Sequence, residues 1–147
     1  MALAAPDITY IDTSVWCAYA FNEPEAPQAA RWLIEAELDR AATALWTFTE
    51  FASAASLKQR AKGLSAQAAA RASRAFEAAA AMVHPFTVVA DDFHQAAALC
   101  GKRALRLRAG DALHLAVALR HRCEALASLD DTMNQAARAL GLRITTF

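Results

Sequence analysis

One stretch limits the possible folds more than any other: Arg108-Ala109-Gly110-Asp111-Ala112-Leu113-His114-Leu115-Ala116, continuing through Val117, Ala118 and Leu119. Glycine and aspartate open a helix that is apolar almost all the way round. Such a helix has no side to offer to water, so it belongs in the middle of a domain, covered on every flank. Asp111 falls at its start, where unpaired N–H groups and the helix dipole favour negative charge. On that ground alone Asp111 reads as the cap of a central helix running to about Arg122.

The rest of the chain supplies the cover. Ile8-Thr9-Tyr10-Ile11 is a short β-prone run ended by Asp12, and Thr13 and Ser14 open a helix through Trp16, Tyr19 and Phe21. A second helix spans about Pro27 to Asp39, with Ala29, Trp32, Leu33 and Ala36 at helical spacing. Thr43 to Trp46 is a plausible second strand. Thr47 and Glu50 then match a capping box, and Phe48, Phe51, Ala52 and Ala55 form the inner face of the helix behind it, which Gly63 ends. Ser65 caps a helix carrying Ala69, Ala72, Phe76, Ala79 and Val83. Thr87-Val88-Val89 is a brief strand or a loop. Asp91 or Asp92 starts a helix with Phe93, Ala96, Ala97 and Cys100 inward. After the central helix come a strand from Ala125 to Leu129, a helix through Met133, Ala136, Ala137 and Leu140, and a last strand from Leu142 to Thr145. Short strands alternating with helices imply an α/β fold with a mostly parallel sheet covered on both faces. No repeat or linker divides the 147 residues, so residues 1–147 read as one domain.

Composition narrows the function classes. Fifteen basic residues balance fifteen acidic ones, so any nucleic-acid site is a local patch and not a property of the whole surface. Cys17, Cys100 and Cys123 are odd in number and widely spaced, which argues against a disulfide framework or zinc knuckle and for small buried residues in a reducing compartment. Met1 to Asp7 has no basic region before an apolar run and reads as no signal peptide. Arg71, Arg74 and Glu77 interrupt the alanine-rich run from Ser65 to Val83, so it does not read as a membrane span. The expectation is a cytoplasmic protein without a membrane partner.

The acids carry the chemistry. Asp12 and Asp130 each follow a strand, and Glu50 and Asp111 each fall in the first turn of a helix. In an open α/β sheet those places share the carboxyl edge, where ligands bind. Each acid has a plain explanation as a helix cap. Four on one edge would repel one another unless a cation neutralised them, and oxygen donors suit a hard ion such as Mg²⁺ or Mn²⁺. Ions of that kind activate water and clamp phosphate, the chemistry of phosphodiester hydrolysis.

These motifs together resemble a known family. Ile11-Asp12-Thr13-Ser14-Val15-Trp16, Glu50 within Thr47-Phe48-Thr49-Glu50-Phe51, Gly110-Asp111-Ala112-Leu113-His114-Leu115-Ala116, and Ser128-Leu129-Asp130 with Met133 resemble the PIN-domain nucleases, most closely the VapC-type toxins of toxin–antitoxin pairs. The resemblance runs in order over nearly the whole chain. It implies a three-layer α/β/α PIN-like domain with a short central sheet and a Mg²⁺- or Mn²⁺-dependent endoribonuclease. It also implies an RNA substrate, a cognate VapB-type antitoxin and a homodimer. By motif, Asp12, Glu50, Asp111 and Asp130 would be the catalytic and metal-site acids, with Ser14 a polar neighbour. Ser128 and Met133 stand where the family more often has threonine and phenylalanine. Asp131 competes with Asp130 for the last acidic place, and motif spacing favours Asp130.

Lys58, Arg60 and Lys62 behind the Glu50 helix, and Lys102, Arg103, Arg106 and Arg108 before Asp111, are candidate phosphate contacts. Of these, Arg106 and Arg108, with Ser14, are the expected substrate contacts. His114 lies one turn from Asp111 and reads first as a packed, hydrogen-bonded histidine and only second as a ligand. His84, His94 and His121 share no ligand spacing. Trp16, Trp32, Trp46 and Phe48 read as core or interface residues. Three rival functions remain: an aspartyl phosphatase with Asp12 as nucleophile, an RNA-processing nuclease without an antitoxin, and a non-cleaving RNA- or protein-binding module. The first usually wants a second acid where Ser14 stands.

Overall fold

The computed structural model describes residues 7–147, and the N-terminal stretch read for a signal peptide lies, apart from Asp7, outside the described residues. Its elements in chain order are β1 (Thr9–Ile11), α1 (Thr13–Ala20), α2 (Pro27–Glu35), β2 (Ala41–Ala44), α3 (Trp46–Lys62), α4 (Ala66–Ala80), β3 (His84–Phe86), α5 (Ala90–Gly101), α6 (Ala109–Arg120), β4 (Ala125–Ala127), α7 (Asp131–Ala139) and β5 (Arg143–Ile144). Short 3-10 turns precede β2 (Leu38–Arg40) and α6 (Arg103–Leu105). All strand pairings are parallel, in the order β3-β2-β1-β4-β5.

That order has a direct consequence. From β1 the chain winds outward to β2 and β3, then crosses over to place β4 and β5 on the other side. The winding direction therefore reverses between β1 and β4. At such a switch the connections leave the strand ends in opposite directions and open a crevice at the carboxyl edge.

The sheet is buried on both faces, and alternation along each strand sorts its side chains. Tyr10 and Leu126 join Ala112, Leu115, Val117, Leu99 and Met133 on the side of α5, α6 and α7. Ile11 and Ala127 join Val15, Trp16, Leu33, Phe51 and Phe76 on the side of α1 to α4. The layers are therefore α/β/α. Helix α6 is central: Ala112 to Ala118 are all buried. Among the described residues no helix is long and apolar enough to cross a membrane.

Several element boundaries differ from the sequence expectation, each for a physical reason. Strand β2 is Ala-Ala-Thr-Ala, every residue buried, and lies two residues before the expected Thr43–Trp46. Alanine has little β propensity of its own, but small side chains let helices pack closely on both faces, and packing decides. Helix α3 consequently begins at Trp46, so Thr47 is inside it and no capping box forms. The Thr47 hydroxyl instead meets Thr43 Oγ1 at 2.8 Å, while Thr43 donates to the Ile11 carbonyl and accepts from the Trp16 indole. That buried ladder fixes α3 against β1. Phe48 and Ala52, expected inward, are exposed, and Thr47, Phe51 and Ala55 form the buried face.

Strand β3 is His84–Phe86, earlier than Thr87–Val89. In α5 only Ala96 of the expected inward set is buried, joined by Leu99 and Asp92, while Phe93, Ala97 and Cys100 face outward. Cys100 is exposed, unlike Cys17 and Cys123, whose burial pushes both thiols up to about 12. Asp92 is the N3 residue of α5 and accepts from the Val89 N–H, and it also pairs with Arg120 across α5 and α6. Gly141, at φ +94°, turns the chain out of α7 into β5 in the left-handed region that suits glycine.

Candidate metal centre and active site

The crevice at the switch point is where the acids meet. A cleft of about 560 Å³ is lined by Asp12, Thr13, Ser14, Glu50, Ser53, Ala54, Leu57, Arg108, Asp111 and Asp130. Four helices and the residues leading into them contribute, and sequence distance disappears: Asp12 and Asp130 follow the neighbouring strands β1 and β4 as the N-caps of α1 and α7, Glu50 comes from α3 and Asp111 from α6.

Asp12 follows β1 directly and extends its ladder, its N–H donating to the Ala127 carbonyl at 2.9 Å. It is the N-cap of α1 and is buried. One oxygen, Oδ2, accepts from the Ser14 N–H (3.3 Å), the Ser14 hydroxyl (2.7 Å) and the Ser128 hydroxyl (2.9 Å). The two serines are themselves oriented by the loop after β4: the Leu129 N–H donates to Ser14 Oγ and the Asp130 N–H to Ser128 Oγ. Oδ1 is left to face His114 Nε2 at 3.6 Å. Asp12 thus has one anchored oxygen and one free.

Asp130 is the N-cap of α7, accepting from the Met133 N–H at 2.7 Å. Asp130 and Asp131 are both exposed, but only Asp130 lines the cleft. Asp111 is not the cap expected from sequence. Helix α6 starts at Ala109 with Arg108 as N-cap, and Asp111 sits at the third helical position. The side chain is half-buried, and its carboxyl is pushed up to about 6 by burial and by the Asp12 and Asp130 carboxylates. Like charges are close enough here to oppose full ionisation, the situation that a bound cation relieves.

Glu50 lies beyond the first turn of α3 and is held under the cleft. Its Oε2 accepts from Thr13 Oγ1 at 2.6 Å and from His114 Nε2. Burial alone would raise its pKa, but the hydrogen bonds from His114 and Thr13 and the His114 charge outweigh burial and hold it below the usual range. His114 answers in kind: burial opposes its charge, yet Glu50 and Asp12 raise its pKa. Gly110 explains how Glu50 fits. A Cβ at that position would lie 2.8 Å from Glu50 Oε1 and 3.6 Å from the Trp46 indole nitrogen.

Of the basic candidates, Arg108 lines the cleft, and Arg106 is exposed in the turn before α6 at φ 55° and does not. Lys58 pairs with Glu23 at 2.7 Å above the Phe21 ring, and Arg60 donates to Ser56. His114 was expected to be packed and hydrogen-bonded, and it is, but its partner is one of the four acids. The one-turn spacing from Asp111 signalled its neighbourhood; the tie to Glu50 needed the fold. Thr13 entered the sequence reading only as a helix opener within the first motif, and Tyr10 only as a strand residue.

Chemically, donor atoms of Asp12, Glu50 and His114 lie within 4.8 Å of one another, and Asp111 and Asp130 face the same cleft. A set dominated by carboxylate oxygens, with ionisation opposed at Asp111, fits a hard divalent cation.

The model of the PIN domain matches residues 9–139. The chain belongs to the PIN-domain family. Solved structures with the same fold include VapC20 of Mycobacterium tuberculosis, described as a sarcin-ricin loop cleaving toxin (TM-score 0.68, 21% identity, covering 87% of this chain and 94% of that one). A toxin–antitoxin complex from Klebsiella pneumoniae (0.62, 18%, 94% and 96%) and FitAcB from Neisseria gonorrhoeae (0.66, 18%, 95% and 97%) are also similar. At these identities the likeness to this PIN domain is one of fold. No curated protein matches the chain.

Proposed function

We propose that this PIN domain is a Mg²⁺- or Mn²⁺-dependent endoribonuclease that acts as the toxin of a toxin–antitoxin pair. The observation that carries the chemistry is the convergence of Asp12, Glu50, Asp111 and Asp130 on one cleft with Arg108 at its edge. In this reading Asp12, Asp111, Asp130 and Glu50 would hold the ion, which would supply the positive charge that lets water attack a phosphodiester at neutral pH. Water forms the new P–O bond, the bond to the departing sugar oxygen breaks, and that oxygen takes a proton. The protein's own part is to hold the acids in place, through Ser14 and Ser128 for Asp12, and to offer Arg108 to the phosphate. Ser14 lines the cleft while its hydroxyl donates to Asp12 Oδ2, so in this reading it steadies that carboxylate beside the substrate.

The toxin role is supported by family membership and by solved relatives whose descriptions name toxins and toxin–antitoxin complexes. It carries with it a VapB-type antitoxin, a homodimer and a cytoplasmic site of action. The aspartyl-phosphatase reading loses ground, since Ser14 stands where its acid partner would be.

The test is cleavage of total cellular RNA by purified protein with Mg²⁺, Mn²⁺ or EDTA, beside Asp12→Ala. Discrete fragments that require both metal and Asp12 are expected. Cleavage that survives EDTA or the substitution refutes the mechanism. Metal binding without any cleavage would turn the reading toward a binding module.

A further inference from the structure

His114 is fully buried, and yet both of its ring nitrogens meet polar groups. Its Nδ1 is 2.6 Å from the Tyr10 hydroxyl on β1, and its Nε2 meets Glu50 Oε2 on α3 and lies 3.3 Å from Thr13 Oγ1 on α1. The carboxylate of Glu50 can only accept, so Nε2 carries a proton and donates it. The Thr13 hydroxyl donates to the same oxygen. Tyr10, on the other ring nitrogen, fixes which way the ring faces. The ring does not line the cleft; Glu50 does.

We infer that His114 is a positioning residue: oriented by Tyr10, it donates from Nε2 to Glu50 and sets the direction in which that carboxylate meets a bound cation. This rests on the metal-dependent reading above. The mechanical logic is a clamp. Thr13 and His114 pull on Oε2, and the bare Cα of Gly110 leaves room for Oε1 on the other side. Glu50 is a flexible side chain on a helix, and without the clamp it has several rotamers open toward water. Hydrogen bonds that orient a ligand typically change metal affinity about 10–100-fold when lost.

Two amide substitutions separate this role from the others, because asparagine reaches the place of Nδ1 and glutamine that of Nε2. The measurement is Mn²⁺ affinity of the metal-free protein by calorimetry, with a thermal melt in EDTA to confirm folding. Wild type is expected to bind Mn²⁺. His114→Asn, which still meets Tyr10 but stops short of Glu50, is expected to bind at least about 10-fold more weakly. His114→Gln, which still donates to Glu50, is expected to stay within about 3-fold of wild type, well inside that loss.

Asparagine binding as tightly as wild type would show that His114 only fills the core, and overturns the inference. Equal loss with both amides would make His114 itself a ligand, and overturns it too. If His114→Asn does not fold, Tyr10→Phe takes its place, with weaker Mn²⁺ binding expected and unchanged binding counting against the inference. Wild type that binds no Mn²⁺ would bring down the metal-dependent reading first, a result distinct from any of these.

Discussion

Asp111→Asn should stabilise the metal-free protein while destroying its activity. In the folded state the Asp111 carboxyl is moved from 3.8 to about 6 by burial and by Asp12 and Asp130. Two pKa units correspond to about 3 kcal/mol against the ionised form. Asp111 is only half-buried, so solvent screening reduces this to about 1 kcal/mol. The dipole of α6 favours a negative charge at that position by about 0.3–1 kcal/mol and so works against part of this gain.

The sign follows from proton counts. Between pH 3.8 and about 6 the folded chain holds a proton that the unfolded chain has released, so this group's contribution falls as pH rises through that window. Above it the loss is complete. Asparagine removes the loss, and for a chain of this size about 1 kcal/mol is about 2–4 °C in Tm. Melts in EDTA should therefore show Asp111→Asn above wild type at pH 7.5, with the gap closing toward pH 4. Mn²⁺ should raise the wild type and reverse the order, and RNA cleavage by the variant should be lost. A variant that melts below wild type at pH 7.5 in EDTA, or a gap indifferent to pH, would refute the repulsion argument.

Other substitutions test the supports one at a time. Ser128→Ala leaves Asp12 Oδ2 and the Asp130 N–H each short of a buried partner, and should cost about 1–3 kcal/mol in a urea titration while lowering cleavage at unchanged RNA affinity. Arg120→Ala leaves the nearly inaccessible Asp92 carboxylate with only the Val89 N–H and should cost about 1–3 kcal/mol. Its turnover should be normal at permissive temperature, because Arg120 is about 14 Å along α6 from Asp111. The same pair holds Asp92 below the usual carboxylate range, so its stabilisation is present above pH 3.8 and is lost as pH falls through the lower folded value. Asp92→Asn should accordingly flatten the acid limb of the stability profile.

The sequence showed most of the architecture because its punctuation is local. Apolar periodicity marked α4 and α7, Ser65 capped α4 as its position suggests, and the all-round apolar stretch after Gly110 became the buried α6. The misplacements lie where tertiary packing overrides local preference. Strand β2 is alanine-rich because two helical layers press on it, and nothing in Ala-Ala-Thr-Ala announces a strand. The outward face of α5 carries Phe93, Ala97 and Cys100, so an apolar repeat there could not be assigned to the core by spacing alone. The acids were readable because strand ends and helix starts have a common edge in any parallel sheet. Their supports were not, since the Asp12–Ser128 and Glu50–His114 ties span 116 and 64 residues.

The same distinction explains why Gly110 is glycine. Read locally, it opens a helix and loosens it, since glycine in a helix costs about 1 kcal/mol relative to alanine. Its backbone is not in the left-handed region, so no turn demands it. What demands it is Glu50, whose Oε1 lies 2.8 Å from where a Cβ would be. Gly110→Ala therefore sets helix propensity against the carboxylate. The contacted atom is the end of a flexible side chain, so the fold can yield by moving Glu50, but only by releasing the bonds from Thr13 and His114. Stability should change by less than about 1 kcal/mol, because the propensity gain offsets the lost bonds. Metal affinity and cleavage should fall together, about 10-fold or more, as expected when an oriented ligand is displaced. A Gly110→Ala protein that binds Mn²⁺ and cuts RNA like wild type would show that Glu50 need not stand where this fold holds it.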